Sequence, residues 1–279
     1  MKQTLDRIYE AYMGDMGDSF AQSVRERIHW MCKEAKGDKI YDVGCSQGIV
    51  SILLAREGST VLGLDLQPDS IKFAEGLLED ESPAVKDNTK FVTGNFINHE
   101  VDGDSFDSII LGEVLEHTIN PTAFLSKANA LLKPSGRLVL TVPFGINEFI
   151  DHKRTYYLME IIDEVEKYFT IQKIKFFGKW LGVVATKEKK YKDAGIIDKA
   201  LLYECENNFY LIESDLLSKV KEKVKTIELL KEKCKQTEMQ LKVMQEEINL
   251  LKSEAANSAV RSADFKGELG HRGPPHINV

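Results

Sequence analysis

The 279-residue chain is 43% hydrophobic, enough to bury one core of ordinary domain size with residues left over, so one domain plus an appendage is expected. Its formal net charge of -7 excludes a general attraction to polyphosphate, which makes nucleic acid an unexpected partner and leaves only a local basic patch as a route to one. The 4 cysteines, Cys32, Cys45, Cys205 and Cys234, lie far apart without C-x-x-C spacing, which excludes a zinc knuckle or disulfide framework and reads as reduced thiols.

The start "MKQTLDRIYE" is charged and lacks an apolar targeting core, and no run of about 18 apolar residues occurs. A soluble, cytoplasmic protein without membrane spans is expected. Residues 1–36 read as an N-terminal helical segment, with Ser19 as N-cap of "SFAQSVRERIHWMCKEA". From there the pattern alternates. Strands are predicted at 39–43, 60–64, 90–93, 106–111 and 137–142, with helices between them, including 68–78 and 121–132. Such a βαβ series builds a parallel sheet covered on both faces. Two further strands, 169–176 and 182–186, are joined by a connection around Gly178 too short for a crossover, so they must pair antiparallel at the sheet's end.

Beyond Lys187 the composition changes. Leu217, Val220, Val224, Ile227, Leu230, Cys234, Leu241, Met244, Ile248 and Leu251 recur at three- and four-residue steps among Lys and Glu. Residues 188–254 therefore read as a helical, coiled-coil region that joins copies of the chain into a homo-oligomer. A stammer falls between Ile227 and Leu230, and a single amphipathic helix folded back on the domain is the alternative. Residues 255–279, small, polar and proline-containing, are predicted to be disordered.

The turn "GCSQG", Gly44 to Gly48, sits between a strand-like and a helix-like run. A dinucleotide site would carry G-x-G-x-x-G, which Ser46 and Ile49 break. A nucleophile elbow would carry G-x-S-x-G, which the turn matches, but an elbow needs an oxyanion loop from an earlier strand, and the only preceding strand is the turn's own. S-adenosylmethionine has no phosphate and does not need the second glycine. It needs backbone room beside its methionine end, a carboxylate for the ribose and a slot for the adenine. Asp65, at the end of the second strand, can take both ribose hydroxyls. Asn95 can accept from the adenine amino group and Phe96 can wall the ring, although Asn95 can equally be an ordinary turn residue.

Together "YDVGCSQGIVSILLAREGSTVLGLDLQPDSI", "GNF", "DSFDSIILGEVLEHTINPTAFLSKANALLKPSGRLVLTVPF" and "DHKRTYY" resemble the class I S-adenosylmethionine-dependent methyltransferases, and within them the small-molecule and ubiquinone-pathway O-methyltransferase group. The resemblance covers residues 37–187 and not the tail. It implies a Rossmann-like α/β fold: a doubly wound, mostly parallel seven-stranded sheet with an antiparallel last strand, followed here by a long C-terminal helix. It also implies that Asp42 and Gly44 line the methionine end, that Asp65 holds the ribose, that Asn95 and Phe96 frame the adenine and that Gly112 offers backbone to the methionine amine. Cys45, Gly48 and Leu66 complete that cofactor-binding set. Ser46 and Asn95 stand where relatives usually carry Gly and Asp.

Methyl transfer is an in-line displacement, so the protein must position the acceptor and make it nucleophilic. Glu113, Glu116 and His117 of "GEVLEHT" follow the fourth strand and His152 follows the fifth, at the edge where open α/β sheets bind ligands. Two carboxylates and two imidazoles suit Mg, Mn or Fe better than a structural zinc, and the E-x-x-E-H run resembles a metal site of ubiquinone-pathway and small-RNA 2′-O-methyltransferases, which implies a divalent ion, Mg or Mn, on these four residues. Without metal, His117 or His152 serves as general base. The expected activity is O-methylation of a hydroxyl on a small molecule or a sugar or glycan. The alternatives are a coiled-coil scaffold whose methyltransferase-like domain binds cofactor without turnover, and a metal-dependent RNA 2′-O-methyltransferase.

Overall fold

The computed structural model describes residues 7–102, 105–147, 149–187 and 197–269, with side chains to 256. Seven strands form one sheet in the order β3-β2-β1-β4-β5-β7-β6: β1 Lys39–Val43, β2 Thr60–Asp65, β3 Thr89–Thr93, β4 Phe106–Gly112, β5 Leu132–Pro143, β6 Thr170–Phe176 and β7 Trp180–Thr186. β1 to β5 are parallel to one another, and β7 is antiparallel to both β5 and β6. The antiparallel strand is thus inserted between β5 and β6, not set at the sheet's edge. This is the doubly wound, mostly parallel sheet that the alternation of the sequence predicts.

Both faces are buried, and the two-residue period of each strand divides the core. Tyr41, Ile109, Leu111, Leu138 and Leu140 face helices α6 (Pro121–Leu131) and α7 (Leu158–Val165). Ile40, Ile110, Val139 and Val184 face α1 (Ile8–Met13), α2 (Asp18–Glu34), α3 (Ile49–Arg56), α4 (Pro68–Glu79) and α5 (Pro83–Asp87). Ile109, Ile110 and Leu111 are each 0% exposed, and burial of each such side chain contributes about 1.5–3 kcal/mol. Asn120 starts α6 as its N-cap, accepting from Ala123 N–H at 3.2 Å, and Pro121 fills the first helical position where no donor is needed.

The N-terminal segment differs from the sequence reading. It is two helices, broken where Gly14 (φ 111°) and Gly17 (φ 99°) adopt backbone conformations that side chains resist. Gly17 occupies the N-cap of α2, and Ser19 lies inside the helix. α1 is held by Gln47, which is wholly buried: its Oε1 accepts Tyr9 N–H at 2.7 Å and its Nε2 donates to Glu10 Oε2 at 3.0 Å.

α8 runs Lys199–Leu269, past the point where the small, polar composition predicts disorder. Extending a formed helix needs no new nucleus, and the alanines between 255 and 263 favour it. Residues 188–196 and 270–279 of the predicted tail regions lie outside the described residues. The chain divides into two compact units, Met1–Glu213 and Ser214–Val279. The first unit includes the start of α8, where Leu201 joins the core and Asn208 Nδ2 donates to Gly178 O at 2.8 Å. In the second unit every side chain from 214 to 256 is exposed. Among the described residues no helix is long and apolar enough to cross a membrane.

Two expectations follow for stability. A Cβ placed on Gly182 of β7 would sit 2.6 Å from the Trp30 ring, so Gly182→Ala should lower unfolding free energy by about 1–3 kcal/mol in urea titrations. Gln47→Ala leaves two polar groups of α1 unpaired and should cost about 1–3 kcal/mol, with hydrogen exchange accelerated first at Tyr9.

Candidate active site

The carboxyl edge of the parallel strands gathers most of the candidate residues. At the β1–α3 turn, Gly44 N–H and Cys45 N–H both donate to Leu64 O, at 2.7 and 3.0 Å, so the pairing of β1 with β2 continues past the strand end. Gly44 (φ 73°), Ser46 (φ 47°) and Gly48 (φ 78°) all take left-handed backbone. A Cβ at Gly48 would lie 2.7 Å from both Ala74 Cβ and the Phe91 ring, and one at Gly44 would lie 2.6 Å from Val114 Cγ2. Glycine is therefore required twice, once for α4 and β3 to approach and once for the segment after β4.

Asp65, at the end of β2, accepts Ser46 N–H through Oδ2 at 2.9 Å and Gln67 N–H through Oδ1 at 2.8 Å. Each oxygen retains a lone pair, and the side chain is half-buried. Leu66 beside it is 66% exposed, an apolar surface on the same rim. Asp42 is buried on β1, where Ser51 Oγ donates to its Oδ2 at 2.6 Å; burial pushes its carboxyl up to about 6, against the pull of that hydrogen bond. Burial likewise raises the Cys45 thiol well above its usual value, with the charges of Asp42 and Asp65 adding to it. Gly112 ends β4 beneath Met31 of α2, whose sulfur would be 3.1 Å from a Cβ there.

The residues after β3 separate. Asn95 is exposed and its Oδ1 accepts Ile97 N–H at 2.9 Å. Phe96 turns into the core, edge-on to Tyr41 at 5.7 Å and against Phe124 at 5.4 Å, with 3% of its surface exposed. The rim at this point is Asn95 and Leu66, and the Phe96 ring lies beneath it. Ser46 Oγ is buried without a hydrogen-bond partner. A nucleophile elbow would pair that hydroxyl with an imidazole, so the G-x-S-x-G match lacks its base.

A second group lies after β4. Leu115–His117 form a 3-10 turn, tied to the segment after β5 by Lys153 N–H and Arg154 N–H, which donate to Glu116 O at 2.7 and 3.3 Å. This tie brings ligand atoms of Glu116, His117 and His152 within 4.8 Å of one another. The two imidazoles meet edge to face with centroids 4.9 Å apart. Glu116 is 1% exposed, and among the described residues neither carboxylate oxygen has a hydrogen-bond partner; burial, and then the charge of Glu113, hold its carboxyl well above the usual range. Burial, and then the charge of His117, lower His152 below the ordinary histidine value.

Glu113, the fourth residue of the predicted set, is not in this group. Its backbone is left-handed (φ 57°), and its Oε2 lies 3.9 Å from Nη1 of Arg27. Arg27 is 4% exposed on α2, with its guanidinium 4.5 Å over the Trp180 ring. Sequence reasoning missed Arg27 and Gln47. Arg27 falls on the apolar stripe of Val24, Ile28 and Met31, and a charge on such a stripe is the signal that could have found it. Gln47 gives no such signal, because its partners are 37 and 38 residues away.

A family model described as a methyltransferase domain matches residues 34–262. The ubiquinone biosynthesis O-methyltransferase of Actinobacillus pleuropneumoniae is 34% identical over 104 residues, 37% of this chain and 44% of that protein. The mitochondrial ubiquinone biosynthesis O-methyltransferase of Arabidopsis thaliana is 33% identical over 109 residues, 39% of this chain and 33% of that protein. The chain thus spans less than half the length of these curated relatives. Among solved structures, the PH0226 protein of Pyrococcus horikoshii superposes with a TM-score of 0.54 at 17% identity, covering 65% of this chain and 97% of that one. The [4+2]-cyclase SpnF superposes with a TM-score of 0.54 at 12% identity, covering 61% and 83%. These likenesses speak for the fold alone, and a cyclase among them is a reminder that one fold carries several chemistries. The family match over most of the chain, joined to a glycine turn closed by Asp65 on a seven-stranded sheet of this order, decides the matter: the chain belongs to the methyltransferase-domain family.

Proposed function

We propose that the chain methylates a hydroxyl oxygen of a small molecule or a sugar or glycan. The observation that carries this reading is the meeting of Glu116, His117 and His152 beside the glycine turn, because a hydroxyl needs activation that a mere binding site does not supply. The printed names of the curated relatives, O-methyltransferases of ubiquinone biosynthesis, support oxygen as the accepting atom.

S-adenosylmethionine, when bound, supplies an electrophilic methyl carbon. Asp65 keeps lone pairs for the ribose hydroxyls beyond those given to Ser46 and Gln67. Asp42, Gly44, Cys45, Gly48 and Gly112 border the methionine end, and the exposed Leu66 and Asn95 border the adenine. The orphaned Ser46 Oγ is a polar atom that such a ligand would satisfy, which supports the fit.

The second group fits a divalent ion by the same test. Among the described residues the Glu116 oxygens have no hydrogen-bond partner; such a buried carboxylate is costly unless it is protonated or coordinated, and the carboxylate suits Mg or Mn while the imidazoles suit Fe. Glu116, His117 and His152 would hold the ion, with Glu113 beside them on Arg27; a bound ion would lower the pKa of a coordinated hydroxyl. Without an ion, His152, its basicity lowered by burial and then by His117, is the group placed to accept the hydroxyl proton.

Two measurements test these assignments. Asp65→Ala should weaken S-adenosylmethionine binding by about 2 kcal/mol, roughly thirtyfold in calorimetry; an affinity equal to wild type contradicts the ribose assignment. His117→Ala, or exhaustive chelation, should abolish methyl transfer while leaving that affinity nearly unchanged, and Mg or Mn should restore the chelated protein but not the variant. Full turnover after chelation removes the metal and leaves His152 as the base.

A further inference from the structure

The apolar stripe of α8 has a definite register. Leu217 and Val224 take the a positions of a heptad repeat, with Val220 and Ile227 at d. At the stammer Ile227 also opens a second register as a, with Leu230, Thr237, Met244 and Leu251 at d and Cys234, Leu241 and Ile248 at a. These positions are uncovered in the single chain, from 43% exposed at Ile248 to 63% at Leu251. A stripe of this length, about 50 Å from Leu217 to Leu251, cannot be satisfied by the flanking Lys and Glu of its own helix.

The flanking charges identify what covers it. When two identical helices lie parallel and in register, each g residue meets the e residue five positions later on its partner. After the stammer those pairs are Lys233 with Glu238, Gln240 with Gln245, and Glu247 with Lys252. Both charged pairs are opposite in sign, the third is neutral, and none is repulsive. The sign alternates along the helix, so a shift by one heptad brings Lys233 towards Gln245, and Gln240 towards Lys252, and both attractions disappear. After the stammer, Ile227 and Ile248 at a, followed by Leu230 and Leu251 at d, are the pattern that favours two strands, whereas Leu217 at a with Val220 at d, before it, is not.

We infer that α8 pairs with a second copy of this chain as a parallel, in-register, two-stranded coiled coil over residues 217–251. In that arrangement Cys234 at an a position faces the Cys234 of the second copy across the seam. The pairing does not depend on the methyl acceptor or on any metal.

The experiment uses the full chain. Light scattering should give twice the 31.6 kDa chain mass. Mild oxidation should link two chains through Cys234, and Cys234→Ser should remove the link. Cys234→Ser combined with Leu251→Cys should restore it, since parallel in-register helices meet their own residues at both places. An antiparallel pair crossing near Cys234 links there and not at 251. Lys233→Glu should weaken self-association about tenfold by turning attraction into repulsion at both symmetry-related contacts, and adding Glu238→Lys should restore it. A monomeric mass, a dimer that fails to link at 251, or charge reversal without effect overturns the inference.

Discussion

The continuation of the β1–β2 pairing into the turn after β1 is the constraint on which the rest of the site depends. Leu64 O takes two successive N–H groups, and Asp65 takes the next from Ser46, so the turn is closed by backbone before any ligand arrives. That closure forces left-handed backbone at residues 44, 46 and 48. It also sets the spacing of everything around it: Val114 packs where Gly44 lacks a side chain, which seats the segment carrying Glu116 and His117, and Gln47 faces inward to hold α1. A preorganised turn spends none of the binding energy on ordering itself.

Around this frame acidic groups are buried beyond what stability alone would favour. Asp42 is held at about 6 with a serine hydroxyl as its donor, and among the described residues no neighbouring side chain donates to the Glu116 carboxylate. Among the described residues the buried cation near them, Arg27, stands 3.9 Å from Glu113, too far for a well-formed ion pair, and rests on the Trp180 ring. These buried carboxylates lie at the sheet edge where a doubly wound fold presents its ligands, which is what makes them the candidates for the site.

Much of this was legible in the sequence, for physical reasons that can be named. The strands were readable because a parallel sheet buried on both faces needs continuous apolar runs, and the short link around Gly178 dictated antiparallel pairing. The glycine turn and Asp65 were readable because their spacing is fixed by the strand and turn they end. Orientation was not. Phe96 follows a strand in the same way whether its ring points to a ligand or to Tyr41, and only tertiary packing decides. Glu113 and Glu116 share one motif, yet the left-handed backbone at Glu113 sends its side chain to α2, a contact between residues 86 positions apart. The helix break at Gly14–Gly17 was hidden by helix-forming neighbours on both sides, and the helix beyond Ala255 by a composition that needs an existing helix to extend.

The most direct test of the central claim is a crystal structure of the chain with S-adenosylhomocysteine. The expected result is ribose hydroxyls on Asp65, the amino-acid end between Gly44 and Gly112, and the sulfur directed toward the side of the site that holds Glu116, His117 and His152. A ligand seated with its ribose away from Asp65, or with its sulfur turned from that group, contradicts the site as described.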